Sequence, residues 1–339
     1  MSRGTLPIGL APFLLLWIVP STAAATARAE HVVVIGMDGL TPEGIVKAEV
    51  PNIRKLMARG AHTLHARAVM PTVSSPNWAS ILMGAGPEQH GVTSNDWEPN
   101  KFDIAPTAVG SGGIFPTIFD VVRSQRPSAH LAVFHDWRGF SQLFERRTVN
   151  VIGSPEDGKR RGDLPATASD SALMTTLMAA DGVKKHKPTL TFVHLDLVDA
   201  AGHASGYNTA PYFTVVTEAD RYVGQILQAV AEAGMLEKTA VLVVSDHGGK
   251  DKDHGGNTMQ EIEVPWIIAG PGIVEGKTLT LPVDVMQTAP TIAHLLGVQP
   301  HPAWIARPVL EAFTNPPSSA PIRTDTSGRR WPAASTRPR

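Results

Sequence analysis

Five short segments concentrate side chains that could do chemistry together. They are Asp38; Pro71-Thr72-Val73-Ser74-Ser75-Pro76-Asn77; Asp199-Ala200-Ala201-Gly202-His203; Ser245-Asp246-His247-Gly248-Gly249; and Asp253-His254-Gly255-Gly256. Carboxylate oxygens and imidazole nitrogens in this mixture suit zinc, and three aspartates with three histidines are enough for two ions with three protein ligands each. Two such ions close together can clamp the attacking and leaving oxygens of an in-line displacement. Singly, each segment reads as an ordinary turn or loop; only the conjunction points to chemistry. The 339 residues include no cysteine, which excludes disulfides, a thiolate metal site and a cysteine nucleophile.

The elements that must position these residues follow a repeated pattern. Val32–Ile35 is an all-apolar, β-branched run ending in Gly36-Met37-Asp38-Gly39, which reads as a buried strand leading into a polar turn. Leu131–Phe134 leads likewise to His135-Asp136, Leu190–Val193 leads through His194 to Asp196 and Asp199, and Ala240–Val244 leads to Ser245-Asp246-His247. Trp266–Ala269 leads to Gly270. Helical segments lie between, such as Ile53–Arg59 stopped by Gly60 and Thr217–Ala233 stopped by Gly234. Alternating strands and helices predict an α/β fold with a doubly wound, mainly parallel central sheet and helices on both faces, in which ligands gather outside the carboxyl ends of the strands. Near the C-terminus, Ile262–Ile268 with Gly270-Pro271-Gly272 predicts a strand and tight turn, and Val283–Leu296 a closing helix with Asp284 as its N-terminal carboxylate. Asn150–Ser169 reads as a surface insertion.

Ser74 is the candidate nucleophile. Ser75 is a good helix N-cap, Pro76 is favoured at the first helical position, and Asn77–Met83 continues as a helix ended by Gly84. Ser74 is thus expected just before a helix N-terminus, where N–H groups and the macrodipole favour negative charge. A serine hydroxyl is a poor nucleophile until a base or a metal ion lowers its pKa.

Taken together, Val-Ile-Gly-Met-Asp38-Gly, Pro-Thr-x-Ser74-x-Pro-Asn, Asp199-x-x-Gly-His203, Ser-Asp246-His247-Gly and His254-Gly resemble the alkaline phosphatase superfamily, in its type I phosphodiesterase/nucleotide pyrophosphatase branch. The resemblance covers nearly all of residues 31–300. It implies a two-zinc phosphohydrolase with one ion on Asp199, His203 and His254, the other on Asp38, Asp246 and His247, and Ser74 as a metal-bound nucleophile that is transiently phosphorylated. Asn95, in Gly91-Val-Thr-Ser-Asn95, matches an asparagine that hydrogen-bonds a phosphate oxygen in this branch. Nucleotide pyrophosphatases usually carry threonine where this chain has Ser74.

Three rival readings share these residues. Arylsulfatases take their formylglycine from C/S-x-P-x-R, and Trp78 stands where that arginine belongs. A phosphomonoesterase needs a cation for the extra charge of a dianion, for which Arg138 and Lys159-Arg160-Arg161 are candidates. A metal-stabilised binding protein without turnover is expected to lack the nucleophile or a ligand, and neither is missing. His62, His65 and His90 have no partner at ligand spacing, whereas Trp97 lies close enough to Asn95 in sequence to border a substrate pocket.

The formal charge of −1 hides basic ends: Arg3 and Arg28 on one side, five arginines against Asp325 after residue 314, so that 30–314 carries −7. An acidic body argues against a nucleic-acid-binding surface and suits one that collects divalent cations. Residues 1–29, with Arg3, the apolar run Ile8–Val19 and Ala27-Arg28-Ala29, read as a secretory signal peptide, the run being short of the roughly 20 residues a membrane span needs. A single domain is expected over 30–314 in the exported protein, periplasmic or secreted, with no stable membrane anchor. Residues 315–339, with five Pro and four Ser, read as a disordered tail. The expected partner is a small phosphate ester.

Overall fold

The computed structural model describes Met1 and residues 28–155 and 167–315. Most of the leader-like segment, the tail and Lys159-Arg160-Arg161 therefore lie outside the described residues. In chain order the elements are β1 (His31–Met37), α1 (Pro42–Lys47), α2 (Pro51–Ala58), β2 (Gly60–Arg67), α3 (Ser74–Met83), α4 (Pro87–His90), α5 (Ile118–Gln125), β3 (Leu131–His135) and β4 (Val151–Gly153). There follow α6 (Ala168–His186), β5 (Leu190–Leu195), α7 (Leu197–Ser205), α8 (Ala210–Glu232), β6 (Thr239–Val244), α9 (Met259–Ile262), β7 (Glu263–Ala269), β8 (Lys277–Thr278) and α10 (Thr288–Leu296).

The strands form one sheet in the order β4-β3-β5-β1-β6-β7-β2-β8. From β4 to β6 every pairing is parallel, and β7 runs antiparallel to both neighbours. Central β1 is apolar on both sides because both are covered: Val32 and Val34 enter one core with Trp78, Phe119 and Ile292, while Val33, Ile35 and Met37 enter the other with Val216, Val223 and Ile226. The carboxyl ends of β3, β5, β1 and β6 consequently share one edge of the sheet, carrying Asp136, Asp196, Asp38 and Asp246.

Three expectations are corrected. Asn150–Ser169 is not simply an insertion: Val151–Gly153 pairs with β3 and α6 begins at Ala168, 156–166 lying outside the described residues. The closing helix is broken into a 3-10 turn, Val285–Gln287, and α10, with Asp284 as the carboxylate at the start of the turn in a reciprocal capping pair with Gln287. Ser75 is not a helix cap: α3 starts two residues earlier than expected, at Ser74, with Val73 in the cap position and no side-chain cap bond. Ser75 thus lies inside the first turn, where its N–H is one of the orphan donors and is met by Asn95 Oδ1 at 2.8 Å in place of a cap side chain.

Candidate active site

Ser74 sits in the first turn of α3, 5% exposed. The loop before it is held by Asn77, whose Oδ1 accepts from the Val69 N–H at 2.7 Å and whose Nδ2 donates to the carbonyls of Val73 (2.9 Å), Pro71 (3.1 Å) and Val69 (3.3 Å). Ser74 Oγ lies 3.3 Å from His247 Nε2. At the same helix terminus Asn95 Oδ1 accepts from the Ser75 N–H at 2.8 Å.

Two Asp/His clusters lie at this end of the sheet, and the hydroxyl touches the deep one through His247. In the deep one, Asp38, Asp246 and His247 are fully buried, with His247 Nε2 3.3 Å from Asp38 Oδ1 and 3.2 Å from Asp246 Oδ2. In the outer one, Asp199 Oδ2 is 3.3 Å from His203 Nε2 and Asp199 Oδ1 is 3.7 Å from His254 Nε2. The clusters abut, since the His247 and His254 rings stack at 3.7 Å. Ligand atoms of Asp38, Asp246 and His247 all lie within 4.8 Å of one another, as do those of Asp199, His247 and His254. His247 thus stands between the clusters, while His203, with 43% of its side chain exposed, closes the outer one from the solvent side through Asp199. Asp199 and His203 are one helical turn apart on α7, which places both on one face.

The donor set fits divalent cations on two grounds. All three histidines commit Nδ1 to a backbone carbonyl, His247 to Gly248 and His203 to Lys252 at 2.8 Å and His254 to Thr72 at 2.9 Å. An N–H donated there leaves Nε2 as a bare lone pair, the tautomer a metal requires. Asp38 Oδ1 and Asp246 Oδ2 are buried without a hydrogen-bond partner, a costly arrangement that a cation relieves.

Electrostatics divide the carboxylates. Burial opposes the Asp38 charge, but His194, His247 and the Trp78 N–H outweigh it and hold the pKa down at about 2. Burial, reinforced by Asp38 and Asp199, pushes Asp246 well above the carboxylate range. Burial also lowers His247, whereas the bond to Asp199 raises His203 to about 9.

Close packing aims the groups. Gly39 turns the chain after Asp38 at φ +67, and a Cβ there would fall 2.9 Å from Asp199 Cα. Its N–H donates to Asp246 Oδ1 at 3.2 Å, so the turns after β1 and β6 are tied. Four contributors escaped the sequence reading. Tyr207 donates to Asp199 Oδ1, Trp78 Nε1 donates to Asp38 Oδ2 at 2.9 Å, and His194 bridges Asp38 and Asp136. The signal available for the last two was position alone, at the ends of β3 and β5. Arg138 is exposed beside Trp137, and Trp97 is buried in the core rather than open to a pocket.

The fold is that of the alkaline phosphatase superfamily. A variant of the alkaline phosphatase PafA superposes with a TM-score of 0.69 at 12% identity over 85% of this chain and all of that one. An inactive variant of murine ectonucleotide pyrophosphatase / phosphodiesterase 5 in complex with AMP superposes at 0.64 and 16% identity over 80% and 96%. Within this fold, a profile of the type I phosphodiesterase / nucleotide pyrophosphatase family matches residues 32–263, and the chain belongs to that family. It is 26% identical to ectonucleotide pyrophosphatase/phosphodiesterase family member 3 of Rattus norvegicus over 219 residues, 64% of this chain and 24% of that protein. It is 30% identical to arylsulfatase K of Danio rerio over 121 residues, 27% of this chain and 23% of that protein. The chain thus spans about a quarter of the length of these relatives. Among the described residues no helix is long and apolar enough to cross a membrane.

Proposed function

We propose that this chain is an exported phosphoric ester hydrolase that uses two divalent cations, zinc by its donor set, to cleave phosphodiester or pyrophosphate bonds of small substrates through a phosphoserine at Ser74. The observation that carries the reading is Ser74 Oγ at a helix N-terminus, 3.3 Å from the Nε2 of His247, the residue whose ligand atom falls in both Asp/His clusters. Asp38, Asp246 and His247 would hold one ion, and Asp199, His203 and His254 the other. When bound, the ions lower the pKa of the serine hydroxyl and stabilise the leaving oxygen.

Ser74 Oγ attacks phosphorus, a P–O bond to serine forms, and the bond to the leaving oxygen breaks. Water then cleaves the phosphoserine and restores the hydroxyl. The first turn of α3 favours the negative phosphoryl oxygens, and the Asn95 NH₂ donates to one of them. Asn95 is neutral, and no Lys or Arg occurs between Ala68 and Asn100, which suits a monoanionic diester better than a dianion. A nucleotide substrate class is supported by the AMP held by the murine structural relative, and export by the leader-like residues 1–29. The test compares kcat/KM for an aryl phosphodiester and its monoester on metal-loaded protein, with acid-quenched peptides analysed for phosphate on Ser74. The reading requires faster diester cleavage and label on Ser74; a preferred monoester or label elsewhere overturns it.

A further inference from the structure

His194 belongs to none of the ligand-bearing segments, yet it is wholly buried behind the deep cluster. Its Nε2 faces Asp38 Oδ2 at 3.2 Å and its Nδ1 faces Asp136 Oδ1 at 3.4 Å. The ring is wedged: Trp78 meets it edge-on with centroids 4.8 Å apart, Phe140 lies at 4.9 Å, and Trp137 stacks on it at 5.9 Å. Asp136 is itself anchored, accepting from the Asp196 N–H at 2.9 Å. The chain of contacts therefore runs from backbone at the end of β5, through Asp136 and His194, to one oxygen of Asp38.

A carboxylate torsion is broad and roughly two-fold, so Asp38 alone does not select an orientation. Here Oδ2 is held by His194 and by the Trp78 N–H. That leaves Oδ1 as the oxygen facing His247 Nε2, at 3.3 Å and with no hydrogen bond of its own. We propose that His194 is a positioning residue which, anchored on Asp136, turns the Asp38 carboxylate so that Oδ1 is presented to the cation of the deep cluster. This rests on the two-ion reading above. Partners that orient a ligand from behind typically change metal affinity by about 10–100-fold when removed.

The test is zinc binding measured by competition with a chromophoric chelator at one pH, on the full chain, with His194→Gln and Trp78→Phe beside wild type. Wild type should bind two ions. His194→Gln should bind one of them as wild type does and the other about 10–100-fold more weakly, the weakened ion being the one lost in Asp246→Asn. Its turnover should recover as zinc is raised. Trp78→Phe, which removes the second donor to the same oxygen, should weaken the same ion. A His194→Gln protein that binds both ions with wild-type affinity, or weakens both equally, overturns the proposal. Should His194→Gln fail to fold, unchanged affinity for that ion in Asp136→Asn, which loosens the anchor behind the ring, overturns it in its place. Wild type binding fewer than two ions overturns the two-ion reading and this one with it, whereas two ions in wild type and an unchanged variant overturn this one alone.

Discussion

Asn77→Ala tests whether the loop before the nucleophile is held as its hydrogen bonds indicate. Asn77 is fully buried and joins Val69, Pro71 and Val73 with one side chain. Pro71 O keeps a second donor, the Val73 N–H at 2.8 Å, and Val73 O keeps the Asn77 N–H at 3.4 Å. The Val69 N–H has no such substitute. An unmet buried donor costs roughly 1–3 kcal/mol and the bond lost from the Val69 carbonyl about 1 kcal/mol net, so about 3 kcal/mol is expected in all. At roughly 2 °C per kcal/mol for a chain of this size, Tm should fall by about 6 °C in scanning calorimetry. Because Ser74 follows the loop directly, a displacement of about 1 Å should also lower kcat on the order of 100-fold. Asn77→Asp retains the acceptor for Val69 but turns three donations into contacts between a carboxylate and carbonyl oxygens, so it should be at least as damaging. An Asn77→Ala protein within about 0.5 kcal/mol of wild type, with normal kcat, would show that these bonds do not hold the loop, that margin being about the scatter of neutral surface changes.

Ser74→Ala should reduce kcat by several orders of magnitude, whereas Ser75→Ala, whose hydroxyl is not a cap and whose backbone N–H bond to Asn95 is kept, should leave kcat near normal; the two are compared by steady-state kinetics, and near-normal kcat in Ser74→Ala would exclude it as nucleophile. Chelation should abolish turnover and zinc restore it, with metal analysis giving two ions per active chain. Arg138→Ala should leave diester hydrolysis unchanged; a selective loss of monoester activity would instead give Arg138 the dianion. His90 is buried, which lowers its pKa from 6.5 to about 3, and it packs neutral, with Nδ1 accepting from the Val92 N–H and Nε2 on Ser80 Oγ. Below 6.5 the unfolded chain takes up a proton that the folded one refuses, so this contribution is complete above 6.5 and lost as pH falls towards 3. The stability of His90→Gln should therefore fall less steeply over that range, by up to about 1.4 kcal/mol per pH unit; equal slopes would contradict it.

The strands that build the site were legible because each is buried on both faces and must be written in uninterrupted apolar residues, as in Val32–Ile35 and Ala240–Val244. Asp38, Asp246 and His247 were legible for a related reason: where a parallel strand ends, the chain turns polar, and that is where ligands gather. β2 was missed because Gly60–Arg67 mixes His, Thr and Arg with its apolar residues and pairs with β7 across two hundred residues of chain. The start of α3 was not legible because a first-turn donor, the Ser75 N–H, is met by Asn95 from a distant stretch of chain, a contact no local rule contains. Helical spacing on α7 joins Asp199 to His203, but the proximity of both to His254 is decided only by folding, as is the stacking of His254 on His247. The bridge from Asp136 through His194 to Asp38 depends entirely on strand order, since β3, β5 and β1 must lie side by side for their ends to meet. Sequence specifies which side chains terminate the strands; only the sheet decides which of those ends are neighbours, because hydrogen bonds between strands do not depend on distance along the chain.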